Sequence, residues 1–195
     1  MSHHIYHTRG VILASKEIGE SNRFYKIFTE ELGLIGGSAQ SVREGKSKLR
    51  YTLQDFSFVT VDLVRGKEVW RIISAGASRP LEKIKGDTRQ LKLFAQYCSF
   101  LSRLLQGEGR DQELFDEIES VANFLEKSLV TQELALSFET LAMWRTLAHL
   151  GYLDPKGHEN LLGISAYSID GLKEFEKIRL VVLPKINDAL NASHL

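Results

Sequence analysis

Apolar and polar positions alternate in short runs over residues 6–75, whereas from residue 80 onward apolar positions recur at spacings of three and four. The first pattern predicts strands and the second predicts helices. Val11, Ile12 and Leu13 follow Gly10, and the segment "RFYKIF" (23–28) interleaves polar with aromatic and branched residues. In "FSFVTVDLV" (56–64), Ser57, Val59, Val61 and Leu63 take one side. Phe56, Phe58, Thr60, Asp62 and Val64 take the other. "EVWRII" (68–73) follows Arg65-Gly66-Lys67, a connection suited to a hairpin. Gly33, Gly36 and Gly37 in the middle strand would permit a bend or bulge. About five short antiparallel strands in so few residues fit a small closed barrel, which leaves no unpaired edge.

In 88–106, Leu91, Phe94, Cys98, Leu101 and Leu105 form one stripe, and Leu93, Tyr97, Phe100 and Leu104 form a second, so this helix is largely buried. A second helix, 112–128, has one apolar stripe and an acidic face. Thr131 is placed to cap a third, which closes at Gly151. A last helix starts near Asp170, and Pro184 should kink or end it; "IRLVVLP" (178–184) could instead be a strand. The fold class is α+β with two domains. A small closed β-barrel over 1–78 precedes an α-helical bundle over 79–195.

Charge sharpens this division. The chain of 195 residues is neutral overall, with 25 basic and 25 acidic residues. Residues 1–75 hold 11 Lys/Arg against 8 Asp/Glu, a balance of +3, and the remainder carries −3. A neutral chain does not grip a polyanion over its whole surface, but a local basic patch can. The single cysteine, Cys98, excludes an intramolecular disulfide and reads as a small core residue. No secretory signal opens the chain and no apolar run reaches the roughly 18 residues that span a bilayer. The expectation is a soluble cytoplasmic protein with no membrane partner.

The strongest local feature is "SVREGKSKLRY" (41–51), with Arg43, Lys46, Lys48 and Arg50 against Glu44 alone. It is either a solvated loop or a polyanion site. Arg23 and Lys26 on the second strand and Arg65, Lys67 and Arg71 on the last hairpin are interleaved with Tyr25, Tyr51 and Trp70. Aromatic faces beside cations form the usual single-strand platform. The pattern leaves open whether those three aromatics stack on bases or fill the barrel; Phe24, Phe28, Phe56 and Phe58 are assigned to the core. His3, His4 and His7 are read as a frayed terminus rather than a metal site, and Asp154, His158 and Glu159 as a hydrated loop. No phosphate-binding loop, nucleophile elbow or HExxH motif is present, and no catalytic constellation, cofactor site or enzyme activity is expected.

The N-terminal half resembles the RecO family of bacterial recombination mediators. The matching text is "TRGVILASKEIGESNRFYKIFTEELGLI" (8–35) and "KSKLRYTLQDFSFVTVDLVRGKEVWRIISA" (46–75). Gly10, Gly19, Glu20, Ser21, Arg23, Phe28, Thr29, Gly33, Lys48, Leu49, Gln54 and Phe56 fall in family positions, and "LAMWRTLAHLGYLDP" (141–155) looks like the family helix ending in L-G-Y. In many members four zinc-binding cysteines follow that turn. Here "KGHENLLGISAYSIDG" follows with none, so no structural zinc is expected, and the tail looks short for the family. The resemblance implies an OB-fold and a helical domain. It also implies binding of single- and double-stranded DNA, strand annealing in recombinational DNA repair, and a nucleoid-associated location. The implied partners are RecR and the acidic, hydrophobic C-terminal tail of single-strand-binding protein, with RecA loading as the outcome. Arg23, Lys26, Arg43, Lys46, Lys48, Arg50, Lys67 and Arg71 would contact phosphates, and Tyr25, Tyr51 and Trp70 are the stacking candidates. A protein-interaction adaptor with little DNA affinity, and an RNA-binding OB protein, are the competing readings.

Overall fold

The computed structural model describes residues 4–163 and 167–192. Five strands, β1 (Ile5–Ile18), β2 (Asn22–Thr29), β3 (Gly33–Ala39), β4 (Phe58–Arg65) and β5 (Trp70–Arg79), close into a barrel in the order β1-β2-β3-β5-β4. This is the OB arrangement that the resemblance implies, followed by the helices that the change of period predicts. The expectation of purely antiparallel pairing is corrected at one seam. β3 and β5 run parallel, through Gly37–Trp70 and Ser38–Arg71. The chain leaves β3 through residues 40–57 and enters β4, which lies between β5 and β1, so the seam cannot be a hairpin.

Two units divide the chain, one of residues 1–80 with 101–115 and one of 81–100 with 116–195. In the first, Ile12, Ile27, Ile35, Val59, Val61, Leu63 and Ile72 fill the barrel together with Tyr25 and Trp70. Val42 and Leu53, from the connection containing the short helix α1 (Leu49–Thr52), join this core, and Leu49 packs against it. The basic run is therefore anchored by apolar residues inside the same segment.

The expected bulge is in a different strand. β2 and β3 pair without a shift, whereas β1 inserts one extra residue, Leu13, between Ile12 and Ala14. The insertion reverses side-chain parity, so Ser15 and Glu17 face Tyr25 and Arg23 across the strands. The glycines of β3 serve close approach instead. Gly33 has φ of +68°, and a Cβ there would collide with the Gly109 backbone. At Gly36 a Cβ would lie 2.6 Å from Cζ of Phe24, whose ring occupies that space.

The helices are α2 (Glu82–Gly86), α3 (Thr88–Leu104), α4 (Gln112–Lys127), α5 (Gln132–His149) and α6 (Ile169–Ala192), with a 3-10 turn at Glu159–Leu162. Cys98 is buried. Thr131 stands at the N-cap of α5 but makes no side-chain cap bond. At the other end Tyr152 N–H donates to Leu147 O at 2.9 Å and Gly151 N–H to Ala148 O at 3.1 Å, the paired bonds of a Schellman turn. Pro184 does not end α6, and "IRLVVLP" is helical rather than a strand. The carbonyl that loses its helical donor belongs to Leu180, which is 71% exposed and open to water.

In the second unit Arg145 organises the loop after α5. Its guanidinium forms a bidentate pair with Glu117 at 2.7 and 2.6 Å and donates to the carbonyls of Leu161 and Gly163, each at 2.8 Å. Tyr167 donates to the same Glu117 at 2.6 Å. Asp154 and Glu159 are exposed, as a hydrated loop requires, and accept local backbone N–H bonds from Lys156 and Gly157. His158 sets its ring edge against Trp144.

Candidate nucleic-acid interface

The turn "GESNR" between β1 and β2 holds the basic segment in place. The Ser41 N–H donates to Asn22 Oδ1 at 3.0 Å, and the Arg43 N–H donates to Ser21 O at 3.0 Å. Arg43 Nη1 also reaches Gly19 O at 3.3 Å, while its Nη2 lies 3.2 Å from Glu17 Oε2. Glu17 is the cross-strand partner of Arg23, whose Nη2 is 3.6 Å from Oε1. One carboxylate thus spaces two guanidiniums.

These groups rim a cavity of about 300 Å³ lined by Glu17, Arg23, Tyr25, Val42, Arg43, Arg50 and Leu53. Three arginines against one glutamate leave its wall positive. The Arg23 Nε is buried without a hydrogen-bond partner among the described residues, and so is the Ser15 Oγ, on the residue opposite Tyr25. Burial pushes the Tyr25 phenol above its ordinary pKa; the Arg23 charge and hydrogen bond oppose that rise, and the Asp55 charge adds to it.

Around this cavity the other cations differ in availability. Lys46, Lys48 and Arg50 are exposed, and none has an ion-pair partner among the described residues. Lys26 points outward but its Nζ donates to Ser102 O at 2.9 Å, which engages the ammonium at the end of α3. Arg71 is exposed beside Ser38, near the Ala39 end of β3. Lys67 is not brought to the cavity. Its hairpin neighbour Arg65 pairs with Glu108, and Glu108 bridges Gly33 at the opposite end of β3, about 20 Å away at ~3.3 Å per residue.

The aromatic assignments change most. Tyr25 and Trp70 are 1% and 4% exposed and belong to the barrel core, so neither presents a free ring face. Trp70 is further committed through Nε1–H to Glu108 Oε1 at 3.0 Å and lies under the Arg65 guanidinium. Tyr51 is 72% exposed on α1, next to Arg50. Phe24, assigned to the core from sequence, faces outward and is only half-buried, with Lys16 Nζ 5.3 Å from its ring centre. It belongs to an outward row, Lys16–Phe24–Ser38–Arg71, that crosses four strands. Strand parity was the available signal: if Tyr25 and Ile27 enter the core, Phe24 must leave it.

The histidine reading is also corrected. His7 lies within β1 and its Nδ1 is 2.6 Å from Asp62 Oδ1, so this part of the chain is paired rather than frayed. His3 lies outside the described residues. Among the described residues no group of three or more His, Cys, Asp or Glu side chains could hold a metal ion, and no helix is long and apolar enough to cross a membrane.

Residues 1–80 match the family model described as recombination protein O N terminal. The chain is 26% identical to the DNA repair protein RecO of Clostridium novyi, over 69% of this chain and 53% of that protein. It is 29% identical to the protein of the same name in Dehalococcoides mccartyi, over 70% of this chain and 54% of the relative. With the RecO of Clostridium kluyveri the identity is 24%, extending over 93% of this chain and 80% of the relative. For the first two, the matched region spans about half of the relative's length.

Proposed function

We propose that this chain, whose residues 1–80 match the recombination protein O N-terminal model, belongs to the RecO family and mediates DNA repair and homologous recombination without enzymatic turnover. It binds single- and double-stranded DNA through the barrel and anneals complementary strands. The observation that carries the reading is the exposed cation set Lys46, Lys48 and Arg50, without ion-pair partners among the described residues, beside the arginine-lined cavity. Two strands held against one positive surface have their repulsion screened, so pairing can begin. Phe24 and Tyr51 supply ring faces for bases, and Arg71 continues the phosphate track beyond the cavity. RecR, the tail of single-strand-binding protein and, indirectly, RecA are the partners this role requires.

Affinity for an oligonucleotide should fall with salt, by a log–log slope of about −0.7 per phosphate neutralised on a single strand. Reversing Arg43, Lys46, Lys48 and Arg50 together to glutamate should abolish binding while the far-ultraviolet dichroism is retained. Unchanged affinity for single strands would remove the loop from the interface. The adaptor reading has one observation in its favour: Leu180 and Val181 of α6 are 71% and 61% exposed, an apolar pair available to a protein partner. Negligible oligonucleotide binding at every salt concentration would favour it.

A further inference from the structure

We propose that the cavity rimmed by Arg23, Arg43 and Arg50 takes a phosphate monoester, the terminal phosphate of a nucleic-acid strand, rather than a stretch of continuing backbone. The inference rests on the DNA-binding reading and specifies what that site recognises.

The cavity has a floor. Tyr25, Val42 and Leu53 close it from beneath, and all three are buried in the barrel core. A continuing strand has to enter and leave, whereas a strand end enters once. Its volume of about 300 Å³ is at the small end of the range for a small-ligand pocket.

Charge points the same way. The three arginines and Glu17 leave a balance of two positive charges on the wall. A backbone phosphodiester carries one negative charge, and a monoester carries about −1.5 to −2 at neutral pH with three acceptor oxygens. Guanidinium forks match phosphate oxygens in pairs. Arg23 Nε is a buried donor with no acceptor among the described residues, so a ligand oxygen there would complete its bonding. Glu17 stands in for the anion only loosely. Its contacts of 3.6 and 3.2 Å exceed the 2.7–2.9 Å of a tight charge-assisted bond, and its side chain is half-exposed and free to turn away.

The test uses the full chain and one short single strand prepared with a 5′-phosphate, a 3′-phosphate or hydroxyls at both ends, measured by fluorescence anisotropy. One phosphorylated form should bind about 10-fold more tightly than the hydroxyl form, the scale of a charge-assisted hydrogen bond gained. Arg50→Gln should bring that ratio close to one, and Glu17→Gln should raise it, because it frees two guanidiniums. Equal affinity for all three ends, with salt-dependent binding intact, overturns the end-recognition inference and leaves the DNA reading standing. A ratio indifferent to both substitutions also overturns it. If no form binds, the DNA reading fails, and a titration with inorganic phosphate followed by NMR decides the cavity alone. Shifts at Arg23, Tyr25 and Arg50 support an anion site, and their absence removes it.

Discussion

The Asn22 side-chain carbonyl accepts the backbone N–H of Ser41 at 3.0 Å, and this bond ties the β1–β2 turn to the start of the basic segment. Ser41 has a φ of +52°, unusual for a residue with a Cβ, so the bond helps hold a backbone conformation that would otherwise relax. Asn22→Ala should cost about 1 kcal/mol of stability. It should also speed amide exchange over residues 40–48 and weaken oligonucleotide binding without touching a cation. Unaltered exchange in that segment would show that the contact does not order it.

Phe24 and Tyr25 are sequence neighbours on opposite sides of β2. Phe24→Ala should lower single-strand affinity by about 1–3 kcal/mol, the scale of one base–aromatic stack, with little loss of stability. Tyr25→Ala should cost about 3–5 kcal/mol of stability by opening the barrel core. Urea unfolding and anisotropy on both variants separate these roles. Equal stability losses would contradict the burial pattern.

Gly33 and Gly19 both have positive φ, +68° and +60°. Open space surrounds Gly19, whereas a side chain at Gly33 would meet the backbone of Gly109. Gly19→Ala should therefore cost about 1 kcal/mol, the left-handed penalty alone. Gly33→Ala should cost severalfold more and loosen the segment around Gly109, as read by chemical denaturation and hydrogen exchange.

Glu117 and Arg145 are a nearly buried pair, with side chains 12% and 8% exposed. Glu117→Gln leaves the guanidinium inside without its counter-charge and should destabilise by about 3–5 kcal/mol. Glu117→Leu combined with Arg145→Met should recover part of that loss, although the carbonyls of Leu161 and Gly163 then lose their donor. Urea midpoints of the single and double variants measure the coupling.

Tyr97 and Tyr167 make stability sensitive to alkali. Burial pushes both phenols well above the ordinary value of about 10. Above that pH the unfolded chain releases protons that the folded chain retains, so stability falls as pH rises, by up to about 1.4 kcal/mol per pH unit for each tyrosine. Tyr97→Phe should reduce the slope of unfolding free energy between pH 10 and 11 relative to the parent protein. It loses only the bond to Thr146 at 3.0 Å.

The sequence by itself determined the five strands, the helices α3, α4 and α5, and their order. Alternation at Val59, Val61 and Leu63 and the stripes of α3 and α4 are local signals, because a strand repeats every two residues and a helix every 3.6. Sequence also located the basic run, Arg43 to Arg50, in the segment ahead of "FSFVTVDLV". Tertiary structure decided which side chains share a surface. A single inserted residue, Leu13, turned Glu17 toward Arg23, and the parallel β3–β5 seam put Arg71 beside Ser38. Neither follows from local pattern, since register and closure depend on residues far apart in the chain. The same closure took Trp70 and Tyr25 into the core and left Phe24 outside. It also committed Lys26 to the Ser102 carbonyl, a partner 76 residues away that no charge count along the chain reveals.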